Sequence, residues 1–254
     1  MFCSLPALAH AETLREALTS AYTNNPDILS ALLNVKATAE NIALAKGEKL
    51  PTIGASASVS DSYTAGEDVS TIGSNLTGGV GLSYNQTLFD NFKSDADIEA
   101  ARALTEASRY ALQNSEQNVL LAVVEAYMDV IRDQQLAQLR QENVKFYQAQ
   151  VDSANDRLKI GEGTKLDVSQ AQARLAQGTA LYQADIATLQ ADMATYDRYV
   201  GHNPKNLTST FNVGTLMPKT LDRAIAEATT DNPAILSAKA AIRASQANSD
   251  AANA

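Results

Sequence analysis

The segment from Ser94 to Ile160 constrains the fold more than any other part of the sequence, because its 67 residues include neither proline nor glycine. These two residues are the ones that most often interrupt a helix. A single helix over this segment would be about 100 Å long, at about 1.5 Å per residue. A globular domain of this size does not enclose a helix of that length. The segment therefore predicts a chain built around long helices.

A second long helix is predicted at 164–200, after a turn at Gly161-Glu162-Gly163. Apolar residues recur in it every seven positions, which is the spacing of a coiled-coil seam. They are Val168, Leu175, Tyr182, Leu189 and Tyr196. The helices at 94–160 and 164–200 are therefore predicted to pack as an antiparallel coiled-coil hairpin. Its packed seams are expected to contain Tyr127, Tyr147, Tyr182 and Tyr196.

Alternation of polar and apolar residues predicts two strands, at 51–63 and 75–89. Each has about the length that a tilted strand needs to cross a membrane. One face of each strand is apolar and the other is small and polar, and no lysine or arginine occurs from Leu50 to Phe92. This pattern is typical of a membrane β-barrel, although a ribbon lying on a soluble domain is the alternative. In lipid, two strands alone would leave unpaired edges, so a barrel would need strands from elsewhere.

Composition excludes several classes of protein. The net charge of −9 argues against a nucleic-acid partner, and no apolar run is long enough for a transmembrane helix. The chain contains two histidines, and no carboxylate pair or metal-ligand spacing stands out. The glycines at 161 and 163 follow no strand, so they do not indicate a phosphate-binding loop. We therefore expect no enzymatic activity, no cofactor and no metal.

A motif, N-P-x-I-L-S-A, occurs at Asn25 and again at Asn232. Chance similarity in an alanine-rich chain is one explanation, but this motif favours a duplication of residues 14–45 at 221–252. In each copy the asparagine is predicted to cap a new helix with proline at its first position, and a kink at proline would give similar geometry.

The predicted organisation follows from these elements. Residues 1–11 resemble a signal peptide remnant, because Ala9-His10-Ala11 fits a signal-peptidase site, although an ordinary disordered terminus is the alternative. The first structural repeat spans 12–220, and 221–254 is the truncated start of a second. We expect a longer sequence to continue with a second strand pair and helical hairpin. The elements of the first repeat are helices at 12–24 and 26–47, strands at 51–63 and 75–89, the helices at 94–160 and 164–200, and an equatorial segment at 202–220.

Three stretches resemble the TolC family of outer-membrane exit ducts. They are L-x-x-A-L-x-x-A-x-x-N-N-P from Leu14, V-E-A-Y-M-D-V-I-R from Val124, and R-L-K-I-G-E-G-T-K-L-D-V-S-Q-A-Q-A-R-L from Arg157. The last is similar to the helix–turn–helix tip of the family, in the form found in the subgroup that serves type I secretion. The resemblance covers about the first half of a typical member.

The resemblance implies a mainly α fold, with long coiled-coil hairpins and a two-stranded β-hairpin that contributes to an oligomeric membrane β-barrel. It also implies a homotrimer in outer-membrane lipid, with its helical part in the periplasm of a Gram-negative bacterium. A periplasmic adaptor (membrane fusion) protein and an inner-membrane ABC or proton-driven transporter would be its partners. The expected function is a passive exit duct for efflux or type I protein secretion. The alternative is a secreted or periplasmic coiled-coil scaffold without a pore.

Candidate site residues fall into three groups. The resemblance places Asp167, with Thr164 and Leu166, at a periplasmic gate, whereas the residues alone predict a helix-capping box between Thr164 and Asp167. Three aromatic residues at the ends of the predicted strands, Tyr63, Phe89 and Phe92, are expected at the membrane interfaces or in ordinary packing. Candidate adaptor contacts are Arg157, Gly161, Glu162, Gly163, Thr164 and Lys165.

Overall fold

A computed structural model describes residues 11–65, 72–209 and 218–254. Residues 1–10 of the expected signal remnant and 210–217 of the expected equatorial segment lie outside this range. The fold class is confirmed, because the chain is mainly helical with one two-stranded hairpin. The elements are α1 (Leu14–Asn24), α2 (Pro26–Gly47), β1 (Thr52–Ala65), β2 (Ile72–Asn85), α3 (Lys93–Lys159), α4 (Lys165–Val200), α5 (Leu221–Asp231) and α6 (Pro233–Asn253).

Helices α3 and α4 begin and end within one residue of their predicted bounds. The carboxylate of Asp90 accepts hydrogen bonds from the backbone N–H and the hydroxyl of Ser94, and so satisfies a free donor in the first turn of α3. Helix α4 ends at Val200 and is capped by Gly201, whose φ of 91° is left-handed and favours glycine. None of the described helices combines the length and apolar character needed to cross a membrane.

Helix α1 begins at Leu14, two residues later than predicted, because Thr13 is its N-cap. The Thr13 hydroxyl accepts from the backbone of Glu16, and the Glu16 carboxylate accepts from the backbone of Thr13. At Asn25 the backbone is extended, so α1 stops and α2 starts anew at Pro26. Helices α5 and α6 are separated in the same way by Asn232.

Strands β1 and β2 pair antiparallel, from Thr52 opposite Asn85 to Ala65 opposite Ile72. The predicted bounds of the second strand, 75–89, are therefore three to four residues too late. The next pair in this register would join Gln86 to Pro51, and proline has no backbone N–H to donate. The ladder accordingly ends at Asn85, and Phe89 lies outside the strand.

The chain forms two compact units, Met1–Leu32 with Leu112–Asn232, and Leu33–Ala111 with Pro233–Ala254. In the first, α1 packs on α3 and α4 around a core of aliphatic and tyrosine side chains. Tyr127 and Tyr196 are fully buried there, as predicted, while Tyr147 and Tyr182 are half-buried. The core residues of the first unit are Ala17, Ala21, Ile28, Val119, Val123, Ala126, Tyr127, Val130, Ile131, Tyr196 and Val200.

The second unit has a core made mainly of alanine, in which small side chains allow helices to approach closely. Two cross-helix hydrogen bonds also hold it together. The hydroxyl of Ser237 donates to the carbonyl of Ala107 at 3.0 Å, and that of Thr105 donates to the carbonyl of Thr38 at 3.3 Å. The buried alanines are Ala100, Ala101, Ala103 and Ala107 of α3 and Ala240, Ala244, Ala247 and Ala251 of α6.

Candidate functional site

The turn between α3 and α4 has a defined hydrogen-bond pattern, as the glycines predict. Gly161 has a left-handed φ of 82°. Its N–H donates to the carbonyl of Leu158 at 3.2 Å, and the N–H of Glu162 donates to the carbonyl of Arg157 at 2.9 Å. This pair of bonds is a Schellman motif, which satisfies carbonyls that the end of a helix leaves free.

Gly163 is needed for a different reason, because the backbone at the end of α3 passes close to it. A Cβ at this position would lie 3.1 Å from the backbone nitrogen of Leu158, and the Gly163 N–H donates to the carbonyl of Arg157. A larger residue would therefore push the turn away from the end of α3. The two glycines together fix where α4 begins relative to α3.

The predicted capping box at the start of α4 is confirmed. The backbone N–H and the hydroxyl of Thr164 donate to Oδ2 of Asp167 at 2.9 and 2.7 Å, and the Thr164 hydroxyl accepts from the Asp167 N–H. These bonds, the side-chain one first, lower the pKa of the exposed Asp167, and the charge of Arg157 adds to the effect. Both bonds end on Oδ2, and Oδ1 accepts none from the described residues.

The surface around this turn combines exposed apolar and charged side chains. Ile160 is 70% exposed and Leu166 is 64% exposed, on either side of the two glycines. Arg157, Glu162 and Lys165 are exposed as well. Sequence reasoning missed Ile160, although a large aliphatic residue beside an exposed turn was a usable signal. We call these five residues the tip surface.

The β-hairpin presents two faces of different chemistry. On one face, Ile53 lies opposite Tyr84 and Ala57 lies opposite Val80, and these side chains are exposed, with Val80 92% exposed. On the other face, Ser58 lies opposite Gly79, where a Cβ would come within 3.3 Å of the serine hydroxyl. This polar face carries no charged residue from Thr52 to Ser62 or from Asn75 to Asn85, and the one charged residue in these ranges, Asp61, lies on the apolar face opposite Leu76.

Two of the three predicted interface aromatics lie together just after β2. The rings of Phe89 and Phe92 pack edge to face, with centroids 6.2 Å apart, and both side chains are exposed. Phe92 has a φ of 70°, which is uncommon for a residue with a bulky side chain. Tyr63 lies within β1, but its side chain is outside the described part of the structure.

A buried polar cluster connects Glu12, which precedes α1, with α3, α4 and the residues that follow α4. The Tyr127 hydroxyl donates to the carbonyl of Glu12 at 2.9 Å, and the Tyr196 hydroxyl donates to the Glu12 carboxylate at 2.8 Å. The backbone of Glu12 pairs with Lys205 and Thr208. Burial first, and then the bond to Glu12, raise the pKa of Tyr196. Sequence reasoning placed both tyrosines in the core but did not foresee this cluster.

No group of three or more histidine, cysteine, aspartate or glutamate side chains suited to a metal ion occurs in residues 11–65, 72–209 and 218–254. Two features characterise the described chain: long helices, and a β-hairpin with one apolar and one polar face. Together they define a class of membrane protein in which a β-hairpin and a helical coiled coil occur in one chain.

Comparison with known proteins assigns the family. The sequence model described as "Outer membrane efflux protein" matches residues 17–198. The "Outer membrane efflux protein BepC" of Brucella suis biovar 1 (strain 1330) is 38% identical over 240 residues, which cover 94% of this chain and 51% of BepC. The chain belongs to the outer membrane efflux protein family, as its resemblance to TolC proteins indicated, and spans about half the length of this relative. It is an outer-membrane protein whose helical part is periplasmic.

Solved channels show the same fold. The Campylobacter jejuni CmeC outer membrane channel is 17% identical, with a TM-score of 0.78 over 94% of this chain and 52% of CmeC. The open state of the Neisseria gonorrhoeae MtrE outer membrane channel is 20% identical, with a TM-score of 0.69 over 94% of this chain and 54% of MtrE.

Proposed function

We propose that this chain is part of an outer-membrane exit duct, which conducts substrates passively and performs no chemical step. The observation that carries the proposal is the β-hairpin, whose apolar face is exposed and whose opposite face is polar and uncharged. An exposed apolar face of this extent is costly in water and stable against lipid. The polar face then lies toward an aqueous lumen.

We propose a homotrimer in which the hairpins of several chains close a barrel, because the described sheet has only two strands, and lipid cannot satisfy the backbone groups at the outer edges of such a sheet. A periplasmic adaptor and an inner-membrane ABC or proton-driven transporter complete the export system. The repeated helix–Asn–Pro–helix arrangement of α1–α2 and α5–α6 supports the duplication proposed for the family member as a whole.

The tip surface is the proposed contact for the adaptor. Its exposed aliphatic residues Ile160 and Leu166 offer apolar area, and its flanking charges set specificity. Asp167 is the proposed gate residue, because its Oδ1 remains available to a donor from another helix. The capping role of Thr164 and Asp167 holds whether or not the gate role does.

A coiled-coil scaffold without a pore is the second candidate, and the helices alone fit it. It gives no reason for the exposed apolar face of the hairpin, which includes Ile53, Val80 and Tyr84. We therefore favour the channel.

The full-length protein tests this choice. After detergent extraction from outer membranes, we expect heat-modifiable trimers that carry ion current in a planar bilayer. A monomer recovered in the soluble periplasmic fraction would overturn the channel proposal. A strain that lacks the gene for the full-length protein then distinguishes efflux from type I protein secretion, because the loss of drug efflux and the loss of protein secretion are measured independently.

A further inference from the structure

Two aspartates on different helices of the first unit face each other with buried oxygens. Asp133 of α3 has a side chain that is only 5% exposed, and Asp192 of α4 has one that is 24% exposed. The Oδ2 atoms of both residues are buried and accept no hydrogen bond in the described structure. Both carboxyl groups lie against the same guanidinium, that of Arg132, and each shifts the pKa of the other.

The nearby Arg132 forms an ion pair with both aspartates but donates a hydrogen bond to only one of the two. Arg132 Nε donates to Asp133 Oδ1 at 2.7 Å, whereas its Nη2 is 3.7 Å from Asp192 Oδ2, which is too far for a hydrogen bond. Arg132 also binds Asp129 on its own helix. Asp133 is therefore held as a carboxylate, and Asp192 is the member of the pair that lacks a donor.

Two neighbouring carboxylates repel each other, and neither has a hydrogen to donate. One proton changes this, because a protonated Asp192 donates to the free Oδ2 of Asp133. We propose that Asp133 and Asp192 form a binding site for a single proton, which joins α3 to α4 when it is bound and pushes them apart when it is lost.

The surrounding charges act in the expected directions. The pKa of Asp192 is raised to about 6 by the hydrogen bond with Asp133, by burial, and by the charges of Asp133 and Asp129, in that order. The positive charge of Arg132 acts in the opposite direction. Arg132 first, and then Asp192, lower the pKa of Asp133. The groups that act most strongly on Asp192 thus all lie on α3, the helix packed against it.

The sign of the pH effect follows from the raised pKa of Asp192. The folded protein binds a proton that the unfolded chain has released, so this site stabilises the fold fully below about pH 4 and loses that effect as the pH rises through about 6. Periplasmic acidification would therefore tighten the contact between α3 and α4 at this level of the helical hairpin. This effect belongs to the chain itself and does not depend on the proposed channel function.

Infrared spectroscopy of the purified full-length protein measures the proton directly. Lowering the pH from about 7.5 to about 5.5 should add the carbonyl absorption of about 0.7 protonated carboxyl per chain, beyond what ordinary aspartates contribute. Asp192→Asn should remove this absorption. Asp185→Asn is the matched control, because Asp185 also joins α4 to α3, through Arg140 at 2.9 Å, without a second carboxylate.

A second variant tests the cause of the shift. Asp133→Asn should move the titration of Asp192 from about 6 toward the ordinary value of about 3.9. An absorption that remains in Asp192→Asn would overturn the proposal, and so would one that is lost equally in Asp185→Asn.

Thermal unfolding gives an independent readout. Because the amide of Asp192→Asn can donate to Asp133 at every pH, this variant should melt higher than the unmodified protein at about pH 7.5 and close to it at about pH 5. Asp185→Asn should lower the melting temperature by the same amount at both values. Equal pH dependence in the unmodified protein and Asp192→Asn would contradict a shared proton.

Discussion

Tyr196 donates its hydroxyl hydrogen to the carboxylate of Glu12 at 2.8 Å, across 184 positions of sequence. Both groups are buried, and the same carboxylate lies 3.4 Å from Nε2 of His202. The contact fixes Glu12, two residues before α1, against the C-terminal end of α4. It thereby ties the start of the described chain to the packed end of the helical hairpin.

Removing this hydroxyl should destabilise the fold. Tyr196→Phe keeps the ring in the core but removes the shortest hydrogen bond to the buried Glu12 carboxylate, which then keeps only Lys205 N–H and His202 Nε2 at 3.4 Å, and we expect a cost of about 1–3 kcal/mol. The free energy of unfolding measures the loss. Glu12→Gln in the Tyr196→Phe background should recover part of it, because a neutral amide is cheaper to bury than a carboxylate. No recovery in the double variant would show that the ring itself, and not the hydrogen bond, was disturbed.

A mid-helix glycine provides the second prediction. A Cβ at Gly178 of α4 would lie 2.7 Å from Cδ2 of Tyr147 on α3, so the two helices approach more closely here than alanine allows. Gly178→Ala should therefore destabilise the protein by about 1–3 kcal/mol, despite the better helix propensity of alanine.

The control for this substitution is Gly47→Ala at the end of α2, where a Cβ meets no atom within 4 Å. That change should be neutral or slightly stabilising. Gly178→Ala combined with Tyr147→Ala should regain stability relative to Gly178→Ala alone, as judged by thermal unfolding. A neutral result for the single variant would mean that the tyrosine ring moves aside without loss.

Local chemistry explains which features the sequence predicted well. The absence of proline and glycine fixed the length of α3, and the glycines at 161 and 163 predicted the turn. The bounds of β2 were wrong because the ladder depends on where Pro51 stops pairing, which alternation alone does not show.

Contacts between distant residues explain what the sequence missed. The bond between Glu12 and Tyr196 and the pairing of Asp133 with Asp192 require knowledge of which helix faces meet. A seven-residue period identifies a seam, but it does not give the register of one helix against another. Polar contacts across the seam are therefore invisible until the helices are placed.

The proposed gate role of Asp167 is separable from its capping role. Asp167→Lys removes both the cap and the negative charge, whereas Thr164→Ala removes the hydroxyl of the cap but keeps the charge. If the carboxylate holds the entrance closed, only Asp167→Lys should raise the resting conductance of the full-length channel in a planar bilayer. An equal rise in both variants would assign the effect to loss of the cap.

The pKa of Asp167 adds a pH dependence to the same turn. Its pKa is lowered in the folded state, so the bonds to Thr164 stabilise the start of α4 at neutral pH and lose this effect as the pH falls below about 4. Hydrogen exchange of the backbone at Thr164 should therefore accelerate at low pH, relative to the intrinsic rate. Asp167→Asn should show little further acceleration over the same range.

Neighbouring residues on β1 test the assignment of the hairpin faces. Ser58 lies on the polar face opposite Gly79, and Val59 lies on the apolar face, 79% exposed. Val59→Lys would place a charge against lipid, at a cost of about 2–4 kcal/mol near the middle of the bilayer, and should reduce the amount of heat-modifiable trimer in outer membranes.

Ser58→Lys should leave the trimer intact and shift the ion selectivity of the pore toward anions, because its charge lies in the lumen. Reversal potentials in a salt gradient measure that shift. Loss of trimer in Ser58→Lys with normal assembly of Val59→Lys would mean that the two faces are assigned the wrong way round.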